Sequence, residues 1–263
     1  MSQSTKGNTS GKGKGDPALR AGAKSHVMES IKARERTDET IKGWITYLPL
    51  IGVGGGVLVG FIFTYWLGTL EGLVVGLFFM FTVAFAFTAL LNYRLLLRLR
   101  EHFRRESMLR RGLLEYLRTV AEEKGTLERI GTELSNLESI EREAGSEEKA
   151  PDPMYAALGA LPIVGIVITL LSLHALTSLP PAHEKRWMAF LQQASVAAKP
   201  NGLELRFAAN ATLKKREFAL YAVLAIVFLP FLVYWYRLLV GETNSHFSSQ
   251  WRDEDYLLRE LGR

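Results

Sequence analysis

The chain has 263 residues, of which 48% are hydrophobic and 22% charged, with a formal net charge of +5 and no cysteine. The missing cysteine excludes disulfides, thiol catalysis and thiolate-held metals. A mean hydropathy of +0.07 would suit a soluble protein, but the apolar residues are gathered in four blocks and the charges lie between them.

Residues 1–25 are rich in Ser, Gly, Lys and Thr and show no periodicity. They bury too little apolar surface to offset the cost of ordering, so this basic tail is expected to be disordered. No cleavable signal peptide is visible there, which leaves the first apolar helix as its own insertion signal. Residues 26–42 carry mixed charge and predict a short helix before the first block.

The apolar blocks cover 44–67, 72–93, 155–178 and 218–240, and carry acidic or basic residues only at their ends. Each is long enough to cross a bilayer, at about 20 residues per span. A core helix of a soluble protein rarely runs so far without a charged face. The expected fold class is all-α: an integral membrane protein with four transmembrane helices, arranged as two tandem helical hairpins with a cytoplasmic helical arm.

Only Gly68, Thr69, Leu70 and Glu71 separate the first two blocks, whereas Arg94, Arg98, Arg100, Arg104, Arg105, Arg110 and Arg111 follow the second. This asymmetry places the amino terminus and 94–154 in the cytoplasm; four crossings return the carboxyl terminus there and leave 179–216 outside. That loop nevertheless carries Lys185, Arg186, Lys199, Arg206, Lys214, Lys215 and Arg216, a vote for the opposite side. The first hairpin is followed here because early helices usually dominate. The sequence pI of about 9.4 then reflects positive-inside charge and contact with anionic lipid, with no specific nucleic-acid partner.

Beyond the second block, residues 95–146 read as helix. Leu113, Leu117, Val120, Leu127, Ile130, Leu134 and Leu137 follow a three-four spacing, which predicts a coiled coil or a helical hairpin with a break at Lys124-Gly125-Thr126. Leu127, Ile130, Leu134 and Leu137 form the expected contact surface for a protein partner or a second copy. Further on, Pro180-Pro181 is expected to stop the third helix. Trp187, Phe190, Leu191 and Ala194 then predict a short amphipathic helix on the bilayer surface or on the bundle, ended by Pro200-Asn201-Gly202.

Several runs occur twice in the same order. Leu48-Pro49-Leu50-Ile51-Gly52 is echoed by Leu161-Pro162-Ile163-Val164-Gly165, Tyr93-Arg94-Leu95-Leu96 by Tyr236-Arg237-Leu238-Leu239, and His102-Phe103 by His246-Phe247. Leu113-Leu114-x-x-Leu117 returns as Leu257-Leu258-x-x-Leu261. Internal repeats are common in polytopic membrane folds. They divide the chain into a tail (1–25), a first hairpin repeat (26–117), a charged arm and linker (118–154) and a second hairpin repeat (155–263). An apolar helix followed by Tyr-Arg-Leu-Leu, His-Phe and Leu-Leu-x-x-Leu resembles a class of uncharacterised archaeal multi-pass membrane domains. No activity is established for that class, so the resemblance implies a membrane fold and a lineage without a mechanism.

Gly52, Gly56 and Gly60, with Gly68, Gly72 and Gly76, recur every fourth residue. Such stripes let helix backbones approach closely inside lipid, where there is no hydrophobic drive between helices. Arg94, Arg98 and Arg237 are expected to reach lipid headgroups. His174, His183 and Glu184 match no established metal-ligand spacing, and His102 and His246 are expected to border the headgroups. The sequons at Asn8 and Asn210 are short enough to arise by chance. The sequence therefore assigns no metal, cofactor or catalytic residue. It points to a non-catalytic scaffold, assembly or accessory protein acting through its arm. The rival reading is a small transporter or channel for lipid or hydrophobic solute, formed by oligomerisation.

Overall fold

The structure, a computed structural model, describes residues 17–205, 207 and 211–262. Among them it is entirely helical: α1 (Pro17–Lys32), α2 (Arg34–Thr37), α3 (Leu48–Leu67), α4 (Leu70–Lys124), α5 (Gly131–Glu147), α6 (Pro162–Ala198), α7 (Phe218–Val227) and α8 (Leu229–Gly262). Short 3-10 segments at Gly43–Tyr47 and Pro153–Ala160 lead into α3 and α6. Three helical stretches are long and apolar enough to cross a membrane: Gly43–Leu67, Leu70–Lys124 and Pro162–Asn201.

The α3–α4 hairpin turns at Gly68, whose φ of 57° caps α3 in the left-handed region. The Thr69 hydroxyl accepts from the Gly72 amide and starts α4. Gly52, Gly56 and Gly60 lie on α3 where it meets Ala84, Met80 and Gly76 of α4. A Cβ on Gly60 would stand 2.9 Å from the Gly76 carbonyl oxygen. The two backbones thus run nearly in contact, and the side chains that would separate them are absent.

α4 continues without a break for 55 residues, about 80 Å at 1.5 Å per residue. Its first part is flanked by exposed apolar side chains, and its second part forms the spine of a polar domain. α1 packs on that second part, with Val27 against Gly112. Gly125 (φ 65°) closes α4, and α5 folds back antiparallel, with Ser107 and Arg110 on Glu141. The lower core collects Leu113, Leu117, Ile130, Leu134, Leu137, Phe190 and Leu257 from five helical segments. Residues 17–25, expected to be disordered, form most of α1, and Ala23 is buried. The remainder of that tail, 1–16, lies outside the described residues.

The fourth apolar block is not one continuous helix. It breaks at Phe228, which is extended (φ −135°, ψ 92°), with Pro230 in the first turn of the next helix, where proline is tolerated. α7 and α8 fold against each other: Tyr221 packs on Phe231 and Trp235, and Arg216 pairs with Glu242. The third block does not stop at Pro180-Pro181. α6 runs through both prolines, because packing on both sides of them outweighs the lost backbone hydrogen bonds.

Nor do residues 179–216 form a loop at the end opposite 94–154. α6 runs parallel to α4: Gly165 lies against Phe85, His183 against His102, and Lys124 donates to the Asn201 carbonyl. α8 does the same, through Tyr236 on Asn92, His246 beside His102 and Gln250 on Glu106. Both described ends of the chain, the turn at Gly125 and most of the basic residues among the described residues therefore share the end of the molecule opposite the Gly68 turn. The repeated sequence runs behave differently from one another. The Tyr-Arg-Leu-Leu runs sit on parallel helices, but the two Leu-Pro runs begin helices of opposite direction, since α3 climbs toward the Gly68 turn and α6 descends away from it.

Candidate metal centre

Just below the apolar blocks, three helices each contribute one buried histidine: His102 from α4, His183 from α6 and His246 from α8. Ring nitrogens of all three lie within 4.8 Å of one another. His102 Nε2 is 3.3 Å from His183 Nε2. Glu106, one turn below His102, brings Oε2 to 2.6 Å from His183 Nε2 and 3.4 Å from His102 Nε2.

The outward nitrogens face carboxylates. His102 Nδ1 donates to Asp38 at 3.0 Å, and His246 Nδ1 to Glu184 at 2.9 Å. His183 Nδ1 lies 3.1 Å from Glu148, a charge contact that lacks hydrogen-bond alignment. Carboxylates at Nδ1 fix the tautomer, so that the Nε2 lone pairs of His102 and His246 point inward, as in metal sites where a carboxylate orients each imidazole. His246 Nε2 is buried and has no hydrogen-bond partner.

A second layer of charge holds the carboxylates. Arg105, fully buried, spans Asp38 and Glu254 at 2.7 and 2.6 Å. Arg110 reaches Glu106, Glu141 and Glu148 at 2.9, 2.6 and 2.9 Å. Gln250 Nε2 donates to Glu106, and Thr212 and the Leu213 amide hold Glu184. Removing one partner from such a buried pair costs about 3–5 kcal/mol, since the other charge is stranded.

Electrostatically the centre is suited to a cation. Burial works to raise the carboxyl of Glu184, but His246, Thr212 and the Leu213 amide outweigh it and hold it at about 2. Glu106 is likewise driven far below the ordinary carboxylate range, where His183 and Arg110 overcome its burial. Burial pushes His102 down to about 4 despite Asp38, so its imidazole is neutral. His183 moves the other way: burial opposes its charge, but Glu106 and Glu148 prevail and raise it to about 9. A proton on His183 thus occupies the position that a metal ion would fill.

Two of the inner spacings are those of a coordination shell, while Glu106 and His183, at 2.6 Å, stand at hydrogen-bond distance. Metal–nitrogen bonds of about 2.0–2.1 Å in a tetrahedron separate neighbouring ligand atoms by about 3.3–3.4 Å. The distances from His102 Nε2 to His183 and to Glu106 match that edge. Three imidazoles and a carboxylate suit zinc and neighbouring divalent transition metals, and the absence of thiolates disfavours soft ions.

One wall of the centre borders a cavity of about 1060 Å³ between the lower part of α6, the segment after it and α8. His246, Glu184 and Gln250 line it, together with Trp187, Leu191 and Leu213. Trp187, Phe190, Leu191 and Ala194, assigned from sequence to a surface helix, are buried in the lower core as part of α6.

No metal site is legible in the sequence, and the structure brings together three histidines that lie far apart in the chain. His183 and Glu184 take part, whereas His174 is exposed and meets the Phe218 ring edge-on. His102 and His246 do not border headgroups. The duplicated His-Phe was the one sequence signal for their meeting, and His102 indeed lies 4.4 Å from the Phe247 ring. Arg98 is not at a headgroup either: it is buried, donates to Asn244 Oδ1 at 2.7 Å and lies over Phe247. Arg94 and Arg237 are exposed, and Arg237 also meets the Tyr47 hydroxyl. Ile130, Leu134 and Leu137 are covered by the chain itself, and among the four contact leucines and isoleucine only Leu127 is exposed. Gly72 lies against Leu67 at the hairpin turn, and Gly76 against Gly60. Asn8 and Asn210 lie outside the described residues. No family model, curated protein or solved structure matches the chain.

Proposed function

We propose that this is a membrane-anchored metalloprotein. The α3–α4 hairpin crosses the bilayer, and the polar domain binds one divalent transition-metal ion through His102, His183, His246 and Glu106. The observation that carries this reading is the meeting of three buried histidines from three helices, each with a carboxylate at its Nδ1, while Glu106 lies against two of them, His183 and His102. Three imidazoles supply the core of the site, and Glu106, against His183 and His102, is the fourth ligand of the proposed ion, which follows the pattern of structural rather than catalytic sites. The ion acts as a clamp: it ties α4, α6 and α8 together, and its binding free energy adds to that of folding. The cavity beside His246 supplies a route for the ion from solvent.

The arm supports this reading over recruitment of a partner, because its apolar stripe is consumed in the core from which the centre is built. The basic residues gathered at the polar end support a cytoplasmic side for that end by the positive-inside rule. The test is metal content after purification in mild detergent without chelators or affinity metal. The parent is expected to carry about one equivalent of a divalent transition metal, and His246→Ala to carry little. A parent that binds no zinc, iron, manganese, cobalt or nickel even after loading overturns the metal reading and leaves a purely ionic network.

A further inference from the structure

The second half of the chain carries two apolar hairpins whose turns stop well short of the Gly68 end of α3–α4. The first is the Pro153–Ala160 segment followed by the start of α6; the second is α7 with the start of α8. The α3–α4 hairpin sets the scale. α3 has 20 residues, about 30 Å, which matches the hydrocarbon core of a bilayer. Tyr65 and Trp66 are exposed at its Gly68 end, and Trp44 and Tyr47 at the other. Aromatic residues of this kind collect at the two interfaces.

Against that scale the other two hairpins are short. Asp152, at the base of the first, pairs with Arg100 of α4. Its turn brings Gly159 against Ala89 and Gly165 against Phe85, about 20 Å short of the start of α4. In the second, Tyr236 meets Asn92 and the turn at Phe228 lies seven to eight residues above, about 10 Å. Both tips therefore rise only about 10–15 Å above Tyr93, the depth of one leaflet. The tips are apolar and open: Ile163 is 84% exposed and Val227 79%. This surface is continuous with the exposed apolar belt of α3 and α4.

We infer that both hairpins are re-entrant: they enter from the polar side, bury Ile163 and Val227 among the acyl chains of the adjoining leaflet, and return to the same side. The partner of this surface is a single lipid leaflet, and the described residues cross the bilayer only twice. At the extended break the Phe228 side chain is exposed, and the Phe231 amide donates to the Phe228 carbonyl at 2.8 Å, so that this backbone group is satisfied locally, as membrane depth requires. The inference stands apart from the metal reading. It also removes the charge conflict of the 179–216 segment, because Lys185, Lys199, Lys214 and Lys215 now share a face with Arg94 and Arg104.

The chain has no cysteine, so single cysteines at exposed positions report cleanly. Ser139→Cys, Lys215→Cys, Thr69→Cys, Ile163→Cys and Val227→Cys are treated with an impermeant maleimide in right-side-out and inverted vesicles. Ser139→Cys and Lys215→Cys are expected to react from one face, Thr69→Cys from the other, and Ile163→Cys and Val227→Cys from neither. Reaction of Lys215→Cys from the Thr69 face restores a third crossing and overturns the inference. A nitroxide at Ile163 or Val227, or at Val223 should Val227→Cys fail to insert, is expected to sit in the hydrocarbon of the Ser139-side leaflet. A headgroup position would lay the hairpins on the surface and overturn it equally.

Discussion

His102 and His246 stand at the same level of two parallel helices, their ring centroids 5.7 Å apart, and each turns its Nδ1 to a different carboxylate. The pairing is what gives the centre its direction: without Asp38 and Glu184 either imidazole could present either nitrogen. Asp38→Asn and Glu184→Gln are therefore expected to keep the fold but weaken metal affinity about 10–100-fold each, the usual effect of losing such outer partners. Competition with a chromophoric chelator measures it, and unchanged affinity in both variants would remove the orienting role.

The close approach in α3–α4 should discriminate between neighbouring glycines. A Cβ on Gly56 would collide with the Met80 carbonyl, whereas one on Gly54 meets nothing within 4 Å. Gly56→Ala is expected to cost about 1–3 kcal/mol by overpacking. Gly54→Ala is expected to be neutral or slightly stabilising, since alanine is the better helix former. Thermal melting of both variants in one detergent checks the difference, and equal melting points would place the stripe away from the helix contact.

The arm offers a similar contrast. Leu137 is fully buried and Leu127 is 38% exposed. Leu137→Ala is expected to destabilise the polar domain by about 2–5 kcal/mol, and Leu127→Ala by much less. Denaturant unfolding of the two, followed by far-ultraviolet circular dichroism, measures it. A stable Leu137→Ala protein that loses a co-purifying partner would return the arm to recruitment.

Acid should unfold the metal-free protein through Asp38. Burial works to raise this carboxyl, but His102, Arg105 and the Trp251 indole outweigh it and hold it at about 2, against an ordinary 3.8. A folded value below the unfolded one stabilises the fold above about pH 4, and that contribution is lost as the pH falls toward 2. With chelator present, Asp38→Asn is expected to melt below the parent near neutrality and to converge with it in acid. Parallel curves across that window would mean that the charge on Asp38 contributes nothing.

Much of the helical content was legible in the sequence because it is a local property. Uncharged runs such as 44–67 and 72–93 admit only helix in an apolar setting, and the Gly125 break and the Gly68 turn are written in residues that tolerate positive φ. The spaced glycines marked a face for close helix approach, and the structure shows that α4 is what meets it. The sequence also marked His102 and His246 as equivalent. What it left open was direction. Nothing local distinguishes a crossing helix from half of a re-entrant hairpin, and a proline pair that halts one helix is absorbed in another when both flanks are packed, as around Pro180-Pro181 in α6. The metal centre depended wholly on this. Asp38, His102, Glu148, His183 and His246 are far apart in sequence, and only the parallel descent of α4, α6 and α8 brings them to one level. There the low dielectric of the interior makes each charge answer to its neighbours rather than to water.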